Sequence, residues 1–139
     1  VPQQAPFRFI DQILEMDKNH FVGTNTFHES ESFYEGHFPG NPITPGVILL
    51  ESMGQIGIVA FGLYLLLQEM PKEELQNWTT LFSHAEVEYF KPVYPNETVT
   101  VYSEKIYWRR KKLKTSLKML NAAGDLVATA TAAGIGVKA

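Results

Sequence analysis

Two residues are candidates for chemistry by type and setting. Glu51 stands in a stretch from Val47 to Leu67 that is otherwise nearly all apolar. An unpaired carboxylate in such a setting is costly, so it is normally protonated, paired or placed at a site. A carboxyl whose pKa is raised this way is a ready general acid near neutral pH. The alternative is a Glu51 that points to solvent or bonds a backbone group at an element's end. His37 lies upstream in the loop Gly36-His37-Phe38-Pro39-Gly40. Glycine and proline can fix an imidazole in a non-helical position suited to a general base. The plain alternative is an exposed loop histidine. His20, His28 and His84 show no HExxH or similar metal spacing and read as strand or surface residues.

A third element lies between them. Thr44 has the chemistry of a helix N-cap and Pro45 that of a first helical residue. The amides of Gly46 and Val47 then fall in the first turn, where N–H groups lack intrahelical partners. Such donors at the positive end of a helix dipole can polarise a carbonyl or stabilise an enolate oxygen. Gly46 carries no side chain to block a close approach. Base, acid and oxyanion donor together suit proton abstraction next to a carbonyl, coupled to loss or addition of a group one carbon further on.

The elements that must position these residues follow from length and pattern. A chain of 139 residues, 45% hydrophobic and 19% charged, is read as one domain over residues 1–139 with a proper core. It has no cysteine, which excludes disulfides, thiolate metal sites and cysteine nucleophiles. The helix is expected from Thr44 to about Gln68, stopped by Pro71, with a helical turn over Lys72–Asn77. It is interrupted by Glu51, Ser52 and Gln55 and so reads as a core helix rather than a membrane span. Strands are expected over Phe7–Asp17, His20–Glu29, Thr80–Phe90, Glu97–Trp108, Lys111–Asn121 and Leu126–Val137. Alternation is clearest in the fifth, where Leu113, Thr115, Leu117 and Met119 take one face and Lys112, Lys114, Ser116 and Lys118 the other. The fold class is α+β, an antiparallel sheet around a buried helix.

Charge is divided unevenly. Residues 1–100 carry four basic and thirteen acidic side chains, and residues 101–139 carry eight and two. The overall net charge of -3 argues against nucleic acid as a partner. The N-terminus lacks the basic-then-apolar layout of a signal peptide, so a cytoplasmic protein is expected.

The run Phe33-Tyr34-Glu35-Gly36-His37-Phe38-Pro39-Gly40-Asn41-Pro42-Ile43-Thr44-Pro45-Gly46-Val47, continued by Ile48 to Gln55, resembles the 3-hydroxyacyl-(acyl-carrier-protein) dehydratases of the FabZ type. Their pattern is a GHFPGxPxxPGV loop followed by a helix with an E-A-x-A-Q-like run. Val1 to Phe7 with Asp11, and Phe90-Lys91-Pro92-Val93-Tyr94-Pro95, are similar to two further family stretches. The resemblance implies the hotdog fold and a homodimer, with a hexamer of three dimers equally compatible, and His37 and Glu51 meeting from different subunits. It implies that His37 removes the C2 proton of a 3-hydroxyacyl thioester and Glu51 protonates the departing C3 hydroxyl. The Gly46 amide, with Val47 beside it, would bind the thioester carbonyl, and Gln55 would support Glu51.

On the same resemblance no metal or redox cofactor is expected, and the acyl chain lies beside the helix, where Ile58, Phe61, Gly62 and Phe82 are candidate lining residues. Glutamate rather than aspartate at position 51 favours simple dehydration over dehydration with isomerisation. Gln3-Gln4, Ser52, Gly54 and Asn96-Glu97 depart from the family pattern without touching acid, base or donor. They leave both fatty-acid synthesis and a related polyketide or polyene route open. Arg109, Arg110, Lys111 and Lys112 form a basic patch that could steer an acidic acyl carrier protein, or simply a solvated bend. Two other activities fit the fold: a hotdog acyl-thioesterase, and a non-catalytic acyl-binding partner subunit.

Overall fold

A helix that is apolar on every side must be covered on every side, and the strands of this chain supply the cover. The computed structural model describes residues 1–138. Six strands form one sheet: β1 (Gln12–Met16), β2 (His20–Thr26), β3 (Trp78–Tyr89), β4 (Thr98–Arg109), β5 (Lys112–Leu120) and β6 (Leu126–Lys138). Their order is β1-β2-β4-β5-β6-β3, and every pairing is antiparallel. The helix spans Gly46–Leu67 as α1 (Gly46–Gly54), a wide π turn (Gln55–Ala60) and α2 (Phe61–Leu67). A short α3 (Lys72–Leu75) follows. By length and hydropathy the helix could cross a membrane, but most of its apolar window is buried inside the protein, as a core helix should be.

Met53, Ile56, Ile58, Phe61 and Leu66 are fully buried on the helix, facing Val99, Val101, Leu113, Met119 and Val127 of the sheet. The alternation expected in β5 is present: Leu113, Thr115, Leu117 and Met119 are buried, while Ser116 and Lys118 are exposed. Helix and sheet also approach closely at Gly57 in the π turn. A Cβ there would lie 2.1 Å from Leu117 Cδ2 and 3.0 Å from Ser103 Oγ. The Ser103 hydroxyl donates to the Gly57 carbonyl at 3.2 Å, so the sheet uses one of the carbonyls the wide turn leaves available.

Three expectations are corrected. The first strand does not begin at Phe7, because the backbone of Phe7 and Phe9 is bonded by side chains of the helix. Thr44 is not the cap: its hydroxyl pairs with the Tyr34 hydroxyl at 2.6 Å, and Pro45 precedes the first helical residue, Gly46. The second strand ends at Thr26 rather than Glu29, since the Phe27 amide and carbonyl turn to Glu97 and Asn96.

The β1–β2 turn carries its own charge cluster. Asp17 accepts from the Asn19 and His20 amides at 2.7 and 2.8 Å, which lowers its pKa. His20 lies between Glu15 (3.1 Å) and Asp17 (2.8 Å); these hydrogen bonds, Glu15's first, raise the imidazole pKa above its ordinary 6.5. The His20 contribution to the hairpin is therefore present below pH 6.5 and lost as pH rises through the raised value, whereas that of Asp17, whose pKa is lowered, is kept at neutral pH and lost in acid. Proton NMR titration should place the His20 midpoint above 6.5, and Glu15→Gln should lower it. Replacing Gly57 with alanine improves helix propensity by roughly 1 kcal/mol yet forces Leu117 aside. A net destabilisation of about 1–2 kcal/mol is expected in urea unfolding.

Candidate active site

The loop that carries His37 is tied down on both sides of the ring. Phe38 and Asn41 exchange backbone hydrogen bonds at 3.1 and 2.8 Å, and Gly40 takes the positive φ of 71° that this tight turn requires. The Ile43 amide donates to the His37 carbonyl at 2.9 Å. The Ile43 carbonyl in turn lies 2.9 Å from His37 Nδ1. A carbonyl can only accept, so Nδ1 carries a hydrogen and Nε2 is the ring nitrogen left for a substrate. The imidazole also stacks on the Phe38 ring, with centroids 4.0 Å apart. These contacts fix the ring through Nδ1 and leave Nε2 as the ring nitrogen not engaged by the loop.

From Ile43 the chain runs straight into the helix. The Thr44 amide donates to the Val93 carbonyl, which anchors this approach to the loop after β3. The Ile48 and Leu49 amides already bond the Pro45 carbonyl at 2.9 and 3.2 Å. Pro45 has no N–H, so the Gly46 and Val47 amides are the first-turn donors left without an acceptor among the described residues. Gly46 is packed under an aromatic ring: the Tyr89 hydroxyl donates to its carbonyl at 2.7 Å, and a Cβ on Gly46 would lie 3.0 Å from Tyr89 Cζ. Burial raises the Tyr89 pKa, which keeps that hydroxyl a donor. Tyr89 was not singled out by the sequence, because nothing in an alternating strand marks which tyrosine reaches a helix terminus.

Glu51 is half-buried on the flank of α1 rather than enclosed in the core. Its Oε2 accepts from Gln55 Nε2 at 2.9 Å. Gln55 is fully buried and fully used: Oε1 accepts from the Phe9 amide at 2.7 Å, and Nε2 also donates to the Phe7 carbonyl at 2.9 Å. Ser52 adds a bond from its hydroxyl to the Phe9 carbonyl at 2.7 Å. The carboxylate is thus aimed by a side chain that cannot turn without releasing the N-terminal segment.

Two clefts flank the helix start. One of about 400 Å³ is lined by His37, Thr44, Gly46, Leu49, Tyr89 and Pro92 among others. The other, of about 290 Å³, is lined by Val47, Leu50, Glu51, Phe82, His84 and Ala85. His37 and the Gly46 donor therefore share a cleft, whereas Glu51 opens into the neighbouring one with Val47. His84, read from the sequence as a strand residue, lies in the Glu51 cleft and leans toward Glu86 at 3.5 Å. A larger hollow of about 610 Å³ on the solvent face of the sheet includes Glu86, Glu88, Tyr102 and Lys118 but none of the candidate residues.

The basic residues lie elsewhere. Arg110 and Lys111, with φ of 51° and 61°, form the two-residue turn between β4 and β5. Arg109 stacks over Tyr107, and Lys111 sits 3.7 Å from Glu69 and over the Trp78 ring. Trp108 also donates to Glu69. This hairpin is fastened near the far end of the helix, about 24 Å along its axis from Glu51 at 1.5 Å per residue. Within one chain Arg109, Arg110, Lys111 and Lys112 do not adjoin either cleft.

Comparison with known proteins bears on the fold and the family. The sheet and helix superpose on a hypothetical thioesterase from Streptococcus pneumoniae solved with coenzyme A, with a TM-score of 0.64 at 16% identity over 91% of this chain and 85% of that one. The PaaI protein of Escherichia coli gives 0.65 at 15% identity over 91% and 82%. At such identities the likeness is one of fold, the hotdog. In sequence, the 3-hydroxyacyl-(acyl-carrier-protein) dehydratase FabZ of Thermus thermophilus is 30% identical over 94% of this chain and 87% of its own. The FabZ of Caldicellulosiruptor saccharolyticus is 33% identical over 76% and 71%. A FabA-like domain matches residues 1–131, and with it the loop, the helix and the sheet as far as the first half of β6, so the chain belongs to the FabA-like family.

Proposed function

We propose that this chain is a 3-hydroxyacyl-(acyl-carrier-protein) dehydratase. The observation that carries the reading is the His37 imidazole, fixed through Nδ1 with Nε2 free, beside the unpaired amide of Gly46. A thioester carbonyl accepting from the Gly46 amide, with Val47 beside it, is polarised so that its C2 proton becomes acidic, and Nε2 is the base in reach of that cleft. His37 takes the C2 proton, the C2=C3 bond forms, and the C3–O bond breaks as Glu51 delivers a proton to the departing hydroxyl. The products are a trans-2-enoyl thioester and water, and return of the imidazolium proton to Glu51 closes the cycle. Gln55 positions the acid. The relatives named FabZ support this substrate class.

The acid and base must act on adjacent carbons, yet in one chain they open into adjoining clefts. This supports a homodimer in which His37 of one subunit works with Glu51 of the other. The edge strand β3 supports it too: twelve residues long, unpaired on its outer side, and exposing Leu81 and Phe82. The basic hairpin at Arg109–Lys112 would act on an acidic carrier through its field rather than by contact with the cleft. A thioesterase reading has only the likeness of fold behind it.

Hydration of trans-2-enoyl thioesters, followed by loss of enoyl absorbance, tests the chemistry. His37→Ala and Glu51→Gln should each lower kcat/KM by about 10²–10⁴-fold with the fold retained. Unfolding and refolding the two variants together should restore about a quarter of wild-type activity, since mixed dimers would hold one intact site of two. No recovery would place both residues' work within one chain.

A further inference from the structure

In the reaction just described Glu51 works at C3, so the acyl carbons beyond C3 leave the reacting centre on the Glu51 side. The apolar surface there is the smaller cleft, walled by Val47, Leu50, Phe82 and Ala85. Phe82 lines it where it meets Gly54. A Cβ on Gly54 would lie 1.8 Å from Phe82 Cζ and 2.1 Å from Cε2. The ring therefore occupies the space that any side chain at position 54 would fill. Glu51 and Gly54 are three residues apart, about 4.5 Å along the helix, so an acyl chain meets this ring after only a few methylenes.

Beyond the ring the helix packs tightly on the sheet. Helix and sheet close directly on each other there: a Cβ on Gly62 would lie 3.0 Å from Thr80 Oγ1, and one on Gly134 would lie 2.3 Å from Ile58 Cγ2. Thr80 is buried and its hydroxyl has no partner, so this layer is also an unfavourable place for a methylene tail. Phe82 itself is 38% exposed, held by its seat on Gly54 rather than enclosed in the core. Its position is thus set locally, and its loss leaves the main core intact.

We propose that Phe82, seated on the bare flank of Gly54, is the stop that fixes acyl-chain length and restricts this enzyme to short-chain 3-hydroxyacyl thioesters. The inference rests on the dehydratase reading and assigns to Phe82 a specificity role, not a catalytic one. Hydration of crotonyl, trans-2-hexenoyl and trans-2-dodecenoyl thioesters should be compared in wild type, Phe82→Ala and Phe82→Leu. The leucine variant keeps an apolar side chain, should the smaller one perturb the fold. Wild type should prefer crotonyl and hexenoyl. Either variant should raise the dodecenoyl-to-crotonyl ratio of kcat/KM by about 10-fold or more. A wild type that already prefers dodecenoyl overturns the proposal, as does an unchanged ratio in a folded variant. Inactivity of wild type on all three thioesters would instead sink the dehydratase reading on which the proposal stands.

Discussion

The structure depends on one constraint: a helix of 22 residues with apolar side chains all round cannot face water on any flank. A flat sheet would cover one face. A twisted antiparallel sheet of six strands curls far enough to take most of the circumference, and Met53, Ile56, Ile58 and Phe61 are removed from solvent completely. The cover is thinnest at the helix's N-terminal end, where Val47 is 72% exposed. That end also offers the two first-turn amides without acceptors. The proposed chemistry sits where the wrapping stops, because a reacting group needs access that the rest of the helix denies.

Gln55 shows how a polar group is afforded a place on such a helix. Its carbonyl oxygen takes the Phe9 amide, and its two amide hydrogens go to the Phe7 carbonyl and to Glu51. Every backbone group it bonds belongs to the segment ahead of β1, which needs partners because it is not in the sheet. Docking of that segment and orientation of the Glu51 carboxylate are therefore one network, satisfied or broken together. The π turn begins at Gln55 itself, and it brings Gly57 against Leu117 with its carbonyl turned to Ser103.

Much of this was legible in the sequence. The alternation of β5 and the apolar run of the helix, broken by Glu51, Ser52 and Gln55, point to a half-buried strand and a core helix, and they are found as read. His37, Gly46 and Glu51 stand in a motif whose proline and glycine spacing fixes the local path. What could not be read depends on contacts distant along the chain. Thr44 has every local qualification for a cap, but Tyr34 takes its hydroxyl. The turn at Arg110-Lys111 adopts two positive φ values without the asparagine or glycine that would announce it, held by Lys111 and Trp108 against Glu69. Tyr89 over Gly46 and Phe82 over Gly54 are pairs more than twenty residues apart, and no periodicity in either element specifies them.

Those two pairs share a strand, and this links the site to the edge of the sheet. β3 contributes Tyr89 to the His37 cleft and Phe82, His84 and Ala85 to the Glu51 cleft, while its outer side has no strand beside it. A free edge of twelve residues with exposed leucine and phenylalanine is an aggregation hazard unless something pairs with it. On the proposed reaction, a base in one cleft and an acid in the next must be brought together to act on adjacent carbons. A second copy laid antiparallel along β3 answers both needs with one contact, since the same residues would form the seam and the walls of the clefts. On that reading the edge left open by the wrapping of the helix is what allows two copies of a small domain to complete a reaction site.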